Sequence, residues 1–177
     1  MLQTQNPKKK TASSGGSVAI GEAWLALFRR LQLQSDGTLD GKAIGFAGPK
    51  GHQGVTTTDF NIAVAAAQTG ATVVLVDAND CQPQLASLCN VPGEMGLLNA
   101  LRGDVPTFDC VLETSVAGLS IVPHGQLSNN LRPSFEAREI DAFLDHLRQV
   151  FSVIVVDLPV ANEYTICLPI ADRLDQV

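Results

Sequence analysis

Two rhythms of apolar residues alternate along this chain. Uninterrupted apolar runs occupy Ala43 to Ala47, Thr72 to Val76 and Ser152 to Val156, and Leu119 opens a fourth. Such runs fit strands buried on both faces of a parallel sheet. Between them the apolar positions take a helical spacing: Phe60, Ala63, Val64 and Ala67 after the first run, then Ile140, Phe143, Leu144 and Leu147 within Pro133 to Gln149. Upstream, Ile20, Trp24, Leu27, Phe28 and Leu31 form a further helical stripe, read as a core-packing helix. Alternating strands and helices predict an α/β fold, a doubly wound, mostly parallel β-sheet with right-handed crossovers. A length of 177 residues at 45% hydrophobic suits a single domain with a sizeable core.

The connection between the first strand and its helix carries the candidate chemistry. Gly48 to Asn61 reads GPKGHQGVTTTDFN, a glycine-rich turn from Gly48 to Gly54 followed by Thr56 and Thr57 at a helix start. A phosphate-binding loop needs this order, because backbone N–H groups wrap the phosphates and a hydroxyl meets magnesium. Val55 stands where such a loop carries lysine. Lys50 occupies a position that a dinucleotide fingerprint would give to glycine, which disfavours a Rossmann oxidoreductase. A plain strand-to-helix turn remains the alternative.

The runs Thr72 to Val76 and Ser152 to Val156 end in Asp77 and Asp157. In an open parallel sheet, ligands sit beyond the carboxyl ends of the strands, which places both carboxylates near the glycine loop. With Thr56 they form a candidate magnesium set, and the competing use of each is a turn or helix cap.

These residues resemble the bacterial tyrosine kinases (BY-kinases) of exopolysaccharide and capsule biosynthesis, within the ParA/MinD-like P-loop ATPases. The resemblance runs from about Glu22 onward. The family's deviant Walker A loop, K-G-G-x-G-K-T-T, is matched by Lys50, Gly51, His52, Gln53, Gly54, Val55, Thr56 and Thr57, so Lys50 falls on the signature lysine. Val73 to Pro83 resembles the second carboxylate motif, with Asp77 kept, Asn79 for its second aspartate and Cys81 for its arginine. Gly96 to Gly103 and Leu119 to Gly125 resemble two further segments, and Val153 to Pro159 resembles Walker B with Asp157 kept.

The resemblance implies a P-loop NTPase fold over 18–177, a nucleotide site built from Gly48, Lys50 and the following loop residues to Thr57, and ATP or ADP with Mg2+. It gives Asp77 and Lys50 catalytic roles and makes Thr56, Asp77 and Asp157 metal ligands. It also implies a membrane-anchored chain-length regulator as partner, a homo-oligomer in which the signature lysine can reach across the interface, and a further strand from Arg173, so that the chain reads as truncated at Val177. The arginines of the activation helix are replaced by Leu25 and Phe28, and in place of the family's usual tyrosine-rich tail the sequence shows one tyrosine, Tyr164, in a loop or helix after Walker B.

A net charge of −6 argues against nucleic acid as a main partner, since the only dense basic run is Lys8 to Lys10. That run sits in a polar leader or linker, residues 1–17, which has no apolar core of a signal peptide. No stretch reaches the 18 to 20 or so apolar residues of a membrane span. The expected location is cytoplasmic, with any membrane association made through a partner. Cys81, Cys89, Cys110 and Cys167 lack metal-ligand spacing and read as reduced thiols. Three functions stay open: a BY-kinase-like nucleotide-binding domain with tyrosine autokinase or ATPase chemistry impaired by the missing lysine, a catalytically inactive regulatory pseudokinase of a polysaccharide export complex, and a partition or positioning ATPase.

Overall fold

The structure is a computed structural model that describes residues 15–34, 39–49, 54–127, 134–160 and 168–177, with side chains from residue 21 onward and again from 169. Helix α1 (Gly15–Gln34) leads into β1 (Lys42–Phe46), α2 (Val55–Gln68), β2 (Val73–Asp77) and the short helices α3 (Leu85–Cys89) and α4 (Leu97–Leu101). A 3-10 turn (Thr107–Cys110) precedes β3 (Leu112–Glu113), β4 (Leu119–Val122), α5 (Ala137–Arg148), β5 (Val153–Asp157) and α6 (Leu168–Ala171). The sheet order is β1-β5-β2-β4-β3, parallel except for the β3–β4 pair. This is the doubly wound, mostly parallel architecture that the apolar runs predict.

Both faces of each central strand are covered, which is why the runs show no polar alternation. Val73 and Leu75 of β2 and Val153 and Val155 of β5 join Ile44, Ile121 and the alanines of α2 in one apolar cluster. Val74, Val76, Ile154 and Val156 face the other way, against Leu144 and Leu147 of α5 and Leu97 of α4. Side chains alternate across a strand, so parity alone assigns Asp77 and Asp157 to the α2 face.

Helix α2 lies between α1 and strands β2, β4 and β5. Its buried arc is therefore wider than the expected stripe: Ala63 and Ala67 are buried, Phe60 and Val64 are half-buried, and Asp59, Ile62 and Ala66 are sealed completely. Phe28 is the anchor of α1 and is fully buried, with Trp24 and Leu31 packed against the same cluster. Leu27 departs from the expected stripe and is exposed, because only a narrow line of α1 meets α2.

Helix α5 begins at Ala137, later than the expected Pro133. Its start is fixed by Glu136 N–H donating to Glu139 Oε2 at 2.8 Å, and Ile140, Phe143, Leu144 and Leu147 are buried as their spacing predicts. Past α6, the segment expected to form a strand from Arg173 reaches the free edge of β1. Gly45 N–H donates to Gln176 O at 2.9 Å, and Ile44 and Gln176 form an isolated parallel bridge.

Candidate functional site

The chain leaves β1, passes through α2 and enters β2, while β5 lies between those two strands. That crossover sets the start of α2 above the carboxyl end of β5. Gly54 adopts φ 76°, a left-handed conformation that glycine takes without steric cost, and lets the helix begin at Val55. The first helical hydrogen bond is Thr58 N–H to Gly54 O at 2.9 Å. The amides of Val55, Thr56 and Thr57 thus have no acceptor within the helix and form a positive N-terminus, suited to an anion.

Thr56 Oγ donates to Asp157 Oδ2 at 2.7 Å. This bond joins the expected hydroxyl and carboxylate of a magnesium site, from elements 101 residues apart in sequence. The other oxygen, Asp157 Oδ1, is buried without a partner among the described residues. A hydroxyl beside a carboxylate with a spare lone-pair site fits Mg2+, which is commonly held by one or two carboxylates with water or phosphate completing its shell.

Asp77 pairs in register with Asp157 across the β2–β5 ladder but is held differently. Its Oδ1 accepts from Asn79 N–H at 3.2 Å and its Oδ2 from Leu85 N–H at 3.0 Å, so the carboxylate ties the end of β2 to the start of α3. Burial pushes its pKa up to about 7, the backbone donors pull it down, and the nearby Asp157 charge raises it again. Asn79 Oδ1 accepts from Gln82 N–H at 3.2 Å and helps close the same turn. His124 Nδ1 lies 3.3 Å from Asp77 O, and burial lowers its pKa against the opposing pull of that contact and of the Asp80 charge. Of the expected metal trio, Thr56 and Asp157 come together, while both Asp77 oxygens serve backbone amides. Lys50, Gly51, His52, Gln53, Tyr164 and Cys167 lie outside the described residues.

Asp59 is the residue that the expected α2 stripe left out. It stands one turn after Thr56, with 0% exposure, and neither carboxyl oxygen meets a donor among the described residues. Its neighbour is Asp157, close enough to share a hydrogen bond when one of the two carries a proton. Burial, then the Asp157 charge and that bond, push the Asp59 pKa up to about 10. Asp157 is raised by burial and opposed by its bonds from Thr56 and Asp59. The signal in the sequence was the i, i+3 spacing of Thr56, Asp59 and Ile62, which puts an aspartate on the core line of the helix.

A pH dependence of stability follows. An acid whose folded pKa lies above its unfolded value binds more protons in the native state, so its contribution is full below the unfolded pKa, near 4, and is lost as pH rises toward the folded pKa. For Asp59 the window runs from about 4 to about 10, with Asp77 adding to it up to about 7. Metal-free protein is expected to lose melting temperature steadily from pH 6 to pH 9, and Asp59→Asn to flatten that slope. Equal slopes in both proteins would show that Asp59 titrates normally.

The two other segments singled out in the sequence meet beside this site. Leu97 N–H donates to Pro123 O at 2.8 Å and Leu98 N–H to His124 O at 3.0 Å. Asn99 closes the junction, accepting from Gly96 N–H at 3.0 Å and donating to Gln126 O at 3.1 Å.

No family model matches the chain. In sequence it is similar to the tyrosine-protein kinase CpsD of Streptococcus agalactiae, 25% identical over 131 residues that make up 73% of this chain and 57% of that protein. It is also similar to an ATP-binding protein of Methanocaldococcus jannaschii, 28% identical over 140 residues, 77% of this chain and 52% of that protein. Its fold matches the kinase domain of the Escherichia coli tyrosine kinase Etk with a TM-score of 0.76 at 18% identity, over 98% of this chain and 68% of that one. The MinD protein of Pyrococcus horikoshii, solved with Mg-ADP, matches with a TM-score of 0.60 at 24% identity, over 69% and 50%. The fold is that of the P-loop NTPases, and the sequence relatives include tyrosine-protein kinases. The chain spans little more than half the length of the CpsD proteins it matches.

Proposed function

We propose that this chain is a BY-kinase-like nucleotide-binding module of capsule or exopolysaccharide biosynthesis that has kept the cation half of its site and weakened the phosphate half. The observation that carries this reading is the Thr56 Oγ to Asp157 Oδ2 bond at the switch point of the sheet. Thr56 and Asp157 would hold Mg2+, which when bound neutralises phosphate charge and fixes its orientation. The free amides at the start of α2 face the same place and would bind phosphate oxygens. Val55, half-buried and apolar, brings no charge there, and Lys50 is the candidate that would replace the missing ammonium.

Asp77 is the candidate base, but a carboxylate already accepting from two amides must give up one of those bonds to take a proton from a hydroxyl. That observation favours the second reading, a regulatory pseudokinase that binds nucleotide without efficient transfer. The partition-ATPase reading has less support, because the kinase domain matches more of the chain than MinD does. A membrane-anchored chain-length regulator and a second copy of the chain are the partners proposed. No described helix is long and apolar enough to cross a membrane.

Calorimetric titration with Mg-ADP and Mg-ATP tests the reading. Binding by the wild type that Lys50→Ala abolishes supports a rewired nucleotide site. An inert wild type beside a binding Val55→Lys variant would instead identify a decayed loop and a purely regulatory role.

A further inference from the structure

We propose that Asp59, Asp157 and the Thr56 hydroxyl form a divalent-cation site of the magnesium or manganese class that fills without nucleotide. The inference rests on the cation half of the reading above and extends it to a ligand, Asp59, with no role there. Asp59 is completely buried, and both of its oxygens lack a donor among the described residues; Asp157 Oδ1 lacks one as well. A proton shared between Asp59 and Asp157 serves one contact, and a buried carboxyl oxygen left without a donor is costly unless something positive lies beside it. None of the ion pairs among the described residues involves Asp59, Asp77 or Asp157. One proton on Asp59 satisfies a single contact, whereas a cation can engage both side chains.

Charge and geometry agree on the class. A standard loop sets one lysine against its carboxylates. Here valine replaces the lysine and Asp59 adds a carboxyl that is ionised once a cation displaces its proton, so the cation-bound site carries two more negative charges on its protein groups, the charge of one divalent ion. Adjacent oxygens on an octahedral Mg2+ at about 2.1 Å stand about 3 Å apart. The Thr56 Oγ to Asp157 Oδ2 separation is 2.7 Å, and Asp59 lies within hydrogen-bond reach of Asp157. Among the described residues no three carboxylate, histidine or cysteine side chains converge as a metal centre, so protein groups fill only part of the shell and water completes it. That disfavours calcium, which takes six to eight oxygens, and suits magnesium or manganese. Thr56 is half-exposed and marks the side from which the ion enters.

The test uses the whole chain, stripped with EDTA and free of nucleotide. Mn2+ is titrated with the free ion followed by electron paramagnetic resonance, and melting is recorded with Mg2+ or Ca2+. The expected result is one Mn2+ bound per chain, a saturating rise in melting temperature with Mg2+ that exceeds the rise with Ca2+, and at least tenfold weaker Mn2+ binding in Asp59→Asn. Asp59→Ser, which also removes the carboxylate, should behave alike if the amide disturbs folding. Wild-type affinity retained in either folded variant overturns the proposal. Mn2+ taken up only when ADP is added overturns it while leaving the nucleotide-binding reading intact, and no uptake with or without ADP overturns both.

Discussion

Val55→Lys is expected to tighten binding of Mg-ADP by about ten- to a hundredfold. Val55 is the first residue of α2, followed directly by Thr56, whose hydroxyl touches Asp157. A long cationic side chain at that position reaches the space above the free amides of the helix start. A hydrogen bond from an ammonium to a phosphate is worth about 1.5 to 3 kcal/mol, which converts to that range of affinity. A competing effect sets the lower bound. In the nucleotide-free state the introduced ammonium can turn toward Asp157 and Asp59, and a pairing there would raise the melting temperature of the apo protein while reducing the gain in affinity. Calorimetry and apo melting curves on the same variant separate the two effects. An affinity unchanged from wild type, with an unchanged apo melting temperature, would show that position 55 does not face the phosphate site.

Gly96→Val is expected to be the most damaging single substitution outside the hydrophobic core, costing about 3 to 5 kcal/mol. Gly96 is extended, with φ −180° and ψ −151°, so its dihedrals suit any residue and the constraint is space. A side-chain carbon there would overlap the Pro123 carbonyl oxygen and come to 2.6 Å from Gly125 N. Both are backbone atoms, which cannot swing aside as a side chain would. Forced overpacking costs about 1 to 3 kcal/mol and each lost hydrogen bond about 1 kcal/mol. The bonds at risk are Leu97 N–H to Pro123 O, Leu98 N–H to His124 O and Gly96 N–H to Asn99 Oδ1. A domain stable by roughly 5 to 15 kcal/mol would lose a large part of its margin. Gly103→Val is the control, since nothing lies within 4 Å of its added carbon and only its φ of 71° opposes the change. Comparable losses of melting temperature in the two variants would mean that the Gly96 junction is not a tight contact.

The sheet was legible because its strands are buried on both faces. Uninterrupted runs such as Val73–Asp77 and Val153–Asp157 leave little room for a helical reading, and the observed strands lie within about a residue of those expected. The pairing of β1 with β5 was not legible, since nothing in a local pattern says which strands will be neighbours. That pairing is what brings Asp157 under Thr56. The amphipathic face of α5 was read correctly because the helix covers one side of one sheet. Helix α2 was read less well, because packing between α1 and the sheet buries more of its circumference than one apolar stripe. Asp59 was missed for that reason: as an acidic residue one position before Phe60, it reads as solvent-facing until the second layer is in place. Asp77 illustrates the reverse. Its strand-end position allowed either a metal ligand or a cap, and its two backbone donors favour the cap.

On the proposed reading the nucleotide is held through the cation on Thr56 and Asp157, with Lys50 supplying the ammonium that Val55 lacks. The most direct measurement is calorimetric titration of the wild-type chain with ADP, once with saturating Mg2+ and once in EDTA. Thr56 and Asp157 supply the side-chain contacts, and both act through the metal, so binding is expected with magnesium and to fall by at least tenfold without it. Equal affinity in EDTA would contradict this, because the loop amides and Lys50 would then suffice to hold the phosphates without the Thr56–Asp157 pair.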